Sequence, residues 1–166
     1  MEYIEVTGGN PLRGSIRPAA AKNSVLPLLA ATLLCAQPCT LRRVPLLRDV
    51  QTSLDLLRAV GSGAAWDGQD LVTQPARQIS GRVPTALAGA MRGSVFYLAP
   101  LLTRAGWAEL PLPGGCRLGP RPIDIHLAGL TAMGAQVCAA AECVVLRRHG
   151  VLRLSLIHIS EPTRPY

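Results

Sequence analysis

Apolar residues in the stretch beginning at Arg48 fall at Val50, Leu54 and Leu57, a spacing of i, i+4, i+7, and the run closes at Gly61. That spacing places them on one face of a short helix, and the glycine supplies its C-terminal stop. A shift of 73 positions brings the pattern back without gaps. Arg48 falls on Arg121, Val50 on Ile123, Leu54 on Leu127, Leu57 on Leu130, Gly61 on Gly134, and Leu71-Val72 on Val144-Val145. An internal repeat of this length marks one supersecondary unit used twice. After each glycine the alternation of polar and apolar residues predicts a hairpin: strands over 64–67 and 70–73 around Asp67-Gly68, then over 136–139 and 143–147. Two more helices are predicted. One covers 22–37. The other covers 84–104, opens at Pro84, carries Leu87, Met91, Val95, Leu98 and Leu102 along one face, and should kink at Pro100. Each unit then reads strand, helix, strand, helix, strand, strand, a βαβαββ order that gives an α/β fold with helices packed on sheets.

Composition fits a core of aliphatic side chains. Of 166 residues, 49% are hydrophobic but only 4% aromatic, so Leu, Val and Ala must fill the interior. The longest apolar run, 24–36, is too short to span a bilayer. A buried helix is expected there rather than a secretion signal, because glycines and prolines precede that run. Five cysteines without CxxC spacing indicate neither a disulfide framework nor a zinc site, and they suit a reducing, cytoplasmic compartment. The net charge of +7 would suit an anionic partner, whether nucleic acid, a membrane surface or a phosphorylated substrate, yet the basic residues are scattered, which argues against nucleic acid and fits a general compositional bias toward Ala, Gly, Pro and Arg. The segment 155–166, SLIHISEPTRPY, lacks the Ala, Arg and Gly bias of the rest, and it reads as a non-native tail of the kind that translated adapter sequence produces.

Three places carry candidate chemistry. Of 17 basic residues, Lys22 alone is lysine. A background that replaces lysine by arginine should retain it where a compact ammonium is needed and a guanidinium will not serve. Lys22 and Asn23 open a predicted helix, where a cation is unfavourable unless an anion binds the free N–H groups beside it. Cys116 lies in LPLPGGCRLGPRPID, a loop by its prolines and glycines, with Arg117 and Arg121 as neighbours that favour the thiolate. Arg121 stands just before Pro122 and the next predicted helix, with Asp124 in its first turn as dipole complement. Arg92, beside the apolar face of the third helix, could reach a site or lie along the surface.

These segments resemble the enolpyruvyl transferase family. AAAKNSVLPLLAATLL is similar to its G-A-K-N-x-x-L-P segment, LRRVPLLRDVQTSLDLL to N-V-P-x-L-x-D-V, and MRGS to M-R-A-S. LPGGCRLGPRPIDIHLAGL resembles the L-P-G-G-C-x-I-G-x-R-P-V-D-L-H signature of the branch that acts on UDP-N-acetylglucosamine. The shikimate-pathway branch, EPSP synthase, lacks the PGGC loop, so Cys116 separates the two.

The resemblance runs from the start to about Leu154 and implies an inside-out α/β barrel built from βαβαββ repeats, here incomplete. Residues 22–154 would form a partial catalytic domain of about two repeats, and 1–21 would belong with a second domain. The resemblance further implies that Lys22, Asn23 and Arg121 bind phosphoenolpyruvate. Arg92, Arg121, Pro122, Ile123, Asp124 and Ile125 would contact UDP-N-acetylglucosamine. Cys116 would be the general acid and the target of fosfomycin, and His126 would be structural. No cofactor or metal and no membrane partner are expected. The complete enzyme should be a cytoplasmic, bacterial monomer of peptidoglycan synthesis, and this chain alone should be inactive.

Overall fold

A computed structural model describes residues 3–9, 11, 13–18, 20–112, 122–139 and 142–154. The loop with Cys116 and Arg121, and the tail 155–166, lie outside the described residues. In chain order the elements are α1 (Lys22–Ala31) with a 3-10 turn (Thr32–Leu34), β1 (Cys39–Leu41), α2 (Arg48–Ala59), β2 (Gly63–Asp67) and β3 (Asp70–Gln74). There follow α3 (Thr85–Ala90), a 3-10 segment (Arg92–Tyr97), α4 (Leu98–Ala105), β4 (Trp107–Pro111), α5 (Asp124–Ala132), β5 (Ala135–Ala139) and β6 (Cys143–Arg148).

The repeat read from the sequence is built twice. α2 and α5 occupy corresponding places, and each ends at a glycine in the left-handed region, Gly61 at φ +103° and Gly134 at φ +104°. The hairpins follow, β2 with β3 and β5 with β6, and each pairs with one further antiparallel strand in the order β1-β3-β2 and β4-β6-β5. Asp67 faces Asp70 across the first hairpin, with Gly68 at φ +60° in a two-residue loop that a side chain would strain.

Inward-facing strand residues meet the helices between the sheets. Leu71 and Thr73 of β3, Ala108 and Leu110 of β4, and Val144 and Leu146 of β6 are buried. The apolar ones among them pack with Leu29, Leu54, Leu57, Leu98 and Leu101 in one core. The two copies differ in depth. Val50, Leu54 and Leu57 are fully buried, whereas their counterparts Ile123, Leu127 and Leu130 lie nearer the surface. α2 packs on α1, α3 and β2, while α5 packs mainly on β5. Likewise a Cβ on Gly61 would meet the Gln78 carbonyl oxygen at 2.7 Å, but one on Gly134 would meet nothing.

Three sequence expectations are corrected. The helix expected over 84–104 is broken at Met91, which is extended (φ −148°, ψ 141°), and no helical kink arises at Pro100. Gly89 and Gly93 flank the break and weaken the helix there. Pro100 lies in the first turn of α4, where its missing N–H would lack a helical partner anyway. Pro84 precedes the helix as its cap rather than entering it. The helix expected over 22–37 ends in the 3-10 turn at Leu34, and Cys35 is extended. Finally, the opening strand of each βαβαββ unit is reduced. In the second unit it is a single parallel bridge, Arg82 to Glu109. In the first unit the described residues before α1 form no strand.

Two local features support predictions. Tyr97 is fully buried; its hydroxyl donates to the Ser53 carbonyl (2.9 Å) and lies 2.6 Å from the Ser53 hydroxyl. Burial pushes the phenol well above its ordinary value, partly offset by the Ser53 hydrogen bond. The folded state therefore keeps its proton where the unfolded chain, titrating near pH ~10, has lost it. Stability is fully present below about pH 10 and falls as the pH rises further. Denaturant titrations across that range should show the fall in the native chain and a smaller one in Tyr97→Phe. That variant should itself cost about 1–3 kcal/mol at neutral pH, because the buried Ser53 hydroxyl loses its partner.

Arg43 is the only non-glycine residue with positive φ among the described residues, at +54°. Its N–H donates to Asp70 Oδ1 (2.7 Å), and the next N–H, of Val44, donates to the Gln69 carbonyl (2.9 Å). The resembling motif has Asn at this position, a residue that tolerates the left-handed region far better than Arg. Arg43→Asn should raise stability by about 0.5–1 kcal/mol in chemical denaturation, whereas a loss would show that the arginine side chain itself supports the fold.

Candidate active site

Lys22 is the first residue of α1, whose cap, Ala21, offers no side-chain acceptor; the first turn holds no acidic residue. The ammonium therefore stands against its own helix dipole. A carboxylate from another helix relieves this: Lys22 Nζ lies 2.5 Å from Asp49 Oδ2, in the first turn of α2. Asp49 in turn suits the N-terminus of its own helix. The side chains remain 48% and 29% exposed, so the pair is worth at most about 1 kcal/mol to the fold. Its consequence is placement: it fixes a half-exposed ammonium at the rim of a cavity.

That cavity measures about 260 Å³ and is lined by Lys22, Asn23, Leu26, Asp49, Arg92, Gly93, Val95, Phe96 and His126. Four elements converge there: the start of α1, the start of α2, the 3-10 segment that begins at Arg92, and the first turn of α5 with His126. The break at Met91 matters here, since it turns the chain and starts the segment that carries Arg92 and Phe96. Arg92 Nη2 donates to the Pro122 carbonyl (2.8 Å) and so ties the cavity to the approach to α5. His126, in the first turn of α5, packs edge-on against Phe96 with ring centroids 6.4 Å apart. Close packing also explains Gly93, where a Cβ would come within 3.1 Å of Leu26.

The structure thus brings together Lys22, Asn23 and Arg92 of the residues singled out from the sequence, with Pro122 reached through Arg92. Asp124 opens α5 as expected. Ile123 is buried in the core, and Ile125 is 82% exposed beside a neighbouring cavity lined by Val95, Phe96, Leu98, Ala99, Gly129, Leu130 and Met133. Cys116 and Arg121 lie outside the described residues. Sequence reasoning missed Asp49, although it sits in the quoted VPLLRDV segment. His126, expected to be structural, packs against Phe96 and also lines the cavity. The signal for Asp49 was the mismatch at Lys22, which can be met by a protein carboxylate as well as by a bound anion.

Two cations and one carboxylate leave the cavity net positive, beside the free N–H groups of α1. Its volume falls below the roughly 300–1,000 Å³ of sites for drug-sized ligands. A small anion fits it; a larger ligand would have to extend beyond it.

The fold is that of an enolpyruvyl transferase. The structure aligns with NikO, the enolpyruvyl transferase of Streptomyces tendae, at a TM-score of 0.71 and 24% identity, over 87% of this chain and 32% of that one. Residues 6–163 match the family described as EPSP synthase (3-phosphoshikimate 1-carboxyvinyltransferase), and the chain belongs to that family. Among its relatives are UDP-N-acetylglucosamine 1-carboxyvinyltransferases. That of Halorhodospira halophila is 46% identical over 82% of this chain and 33% of its own length. That of Thermus thermophilus is 46% identical over 81% and 32%, and that of Solibacter usitatus 43% over 98% and 39%. The chain spans about a third of the length of the curated relatives it matches.

Proposed function

We propose that the protein to which this chain contributes transfers the enolpyruvyl group of phosphoenolpyruvate to the 3′-hydroxyl of UDP-N-acetylglucosamine. The observation that carries the reading is the convergence of Lys22, Asn23 and Arg92 on one small cationic cavity, in a chain whose relatives bear that activity in their names. Lys22 and Asn23, with Arg121, hold the phosphate and carboxylate of phosphoenolpyruvate. Arg92, Arg121 and the stretch from Pro122 to Ile125 meet the nucleotide sugar. Ile123 does so through its backbone, since its side chain is in the core.

In the reaction the Cys116 thiol protonates the methylene carbon of phosphoenolpyruvate, and the sugar hydroxyl adds to the adjacent carbon as it loses its proton. Phosphate then leaves with the carbon–oxygen bond electrons. A proton departs from the methyl group to restore the double bond as an enol ether. Positive charge at fixed positions stabilises the anionic groups throughout, and a positioned acid lowers the barrier to the first step. The domain reading follows: 22–154 supplies one side of the active-site cleft, 1–21 belongs with the other side, and 155–166 has no role in it. This is a cytoplasmic step of bacterial cell-wall synthesis, carried out by a monomer.

Phosphate release by a chain extended to the relatives' full length tests the reading. Release should require both phosphoenolpyruvate and UDP-N-acetylglucosamine, and 3-phosphoshikimate should not replace the sugar nucleotide. Turnover with 3-phosphoshikimate instead would assign the chain to the other branch. The 166-residue chain alone should release none, because a fixed constellation of donors needs every wall of the cleft.

A further inference from the structure

A second cationic cleft lies apart from the cavity just described. It measures about 310 Å³ and is lined by Arg17, Pro18, Ala20, Arg42, Arg43, Val44 and Gln69. Among the described residues it shares no lining residue with the cavity at Lys22. Three arginines line it, all exposed, and none of them is paired with a carboxylate among the described residues. Asp70, next to Gln69 on the hairpin, accepts the backbone N–H of Arg43 rather than a side-chain ion pair.

The backbone explains how neighbouring arginines reach one cleft. In an extended strand, consecutive side chains point to opposite faces. Arg42 and Arg43 follow directly on β1, yet both line the same cavity, because Arg43 takes the left-handed conformation at φ +54°. Two hydrogen bonds to the β2–β3 loop hold that turn, Arg43 N–H to Asp70 and Val44 N–H to Gln69. The strained conformation thus gathers charge that an unstrained strand would disperse.

We propose that this cleft is a binding site for a small diphosphate-bearing anion, distinct from the catalytic cavity. Three guanidiniums match the several oxygens and multiple charges of a diphosphate better than those of a monoanion. Among the described residues the lining has no aromatic side chain on which a nucleobase could stack, which argues against nucleic acid.

Titration of the 166-residue chain with inorganic pyrophosphate, followed calorimetrically at low salt, tests this. Pyrophosphate should bind more tightly than inorganic phosphate, and the affinity should fall as salt is raised. The triple variant Arg17→Gln, Arg42→Gln, Arg43→Asn should weaken binding about tenfold or more. Arg43→Asn keeps the turn, so a thermal melt at or above that of the native chain excludes unfolding as the cause. Lys22→Ala with Arg92→Ala, which disables the catalytic cavity, should leave this binding in place. Binding lost only in that double variant, unchanged in the triple variant, or absent from the native chain would overturn the proposal. So would tighter binding of a single-stranded oligonucleotide than of pyrophosphate.

Discussion

In a chain extended to the relatives' full length, Lys22→Arg will lower kcat/KM by about 100-fold, roughly 2.7 kcal/mol of lost transition-state stabilisation. Charge is conserved in this variant, so a simple electrostatic account would expect little change. The geometry argues otherwise. Lys22 is held by Asp49 at the edge of a cavity of about 260 Å³. A guanidinium offers the Asp49 carboxylate a planar two-point partner, which draws the charge toward α2 and away from an anion in the cavity. Its bulk also occupies space that the anion requires. The loss should appear in kcat as well as in KM for phosphoenolpyruvate, because a misplaced donor fails most in the transition state. Asp49→Asn should be milder, since it frees the ammonium without removing it. Turnover of Lys22→Arg within about threefold of the native enzyme would show that the position needs only charge.

Cys116→Ala should remove about 10²–10⁴-fold of the same activity, the range supplied by a positioned general acid. The cysteine should also be the preferred site of alkylation, by fosfomycin in the extended enzyme and by a small electrophile in the present chain. Two considerations separate it from the other thiols. Arg117 and Arg121 flank it in sequence, and cations favour the reactive thiolate. The competitors Cys35, Cys39, Cys138 and Cys143 are partly buried. Cys39 in particular is pushed above its ordinary thiol value by its hydrogen bond with Cys35 and by burial, which lowers its thiolate fraction. Peptide mapping after brief labelling under native conditions checks this, and predominant modification of Cys35 or Cys138 would sink it.

Much of the architecture follows from short-range rules that a sequence displays directly. The i, i+4, i+7 spacing of Val50, Leu54 and Leu57 already contains α2, since that face must be buried whatever covers it. Gly61 and Gly134 carry the same message, because their φ values near +103° are open to glycine at little cost. The hairpins are local as well, so their register follows from alternation and from the turn at Gly68. The resemblance of four segments to one family likewise singles out Lys22, Asn23 and Arg92, which line one cavity in the fold.

What required the tertiary structure was every feature in which distant segments compete or combine. Continuous apolar periodicity suggested one helix over 84–104, but packing of the segment against Leu26 and Ser53 favoured a break at Met91. The partner of Lys22 was likewise hidden. A helix N-terminus carrying a cation signals only that a negative charge is needed; the proximity of two helix starts distant in sequence supplies it as Asp49. Burial of α2 and exposure of its repeat counterpart α5 could not be read from patterns that are alike in both copies. Periodicity along the chain dictates which face of an element is apolar, because that depends on residues a few positions apart. Which neighbours meet that face, and which charges meet across it, depends on how the elements stack, and that is settled only when the whole core is packed.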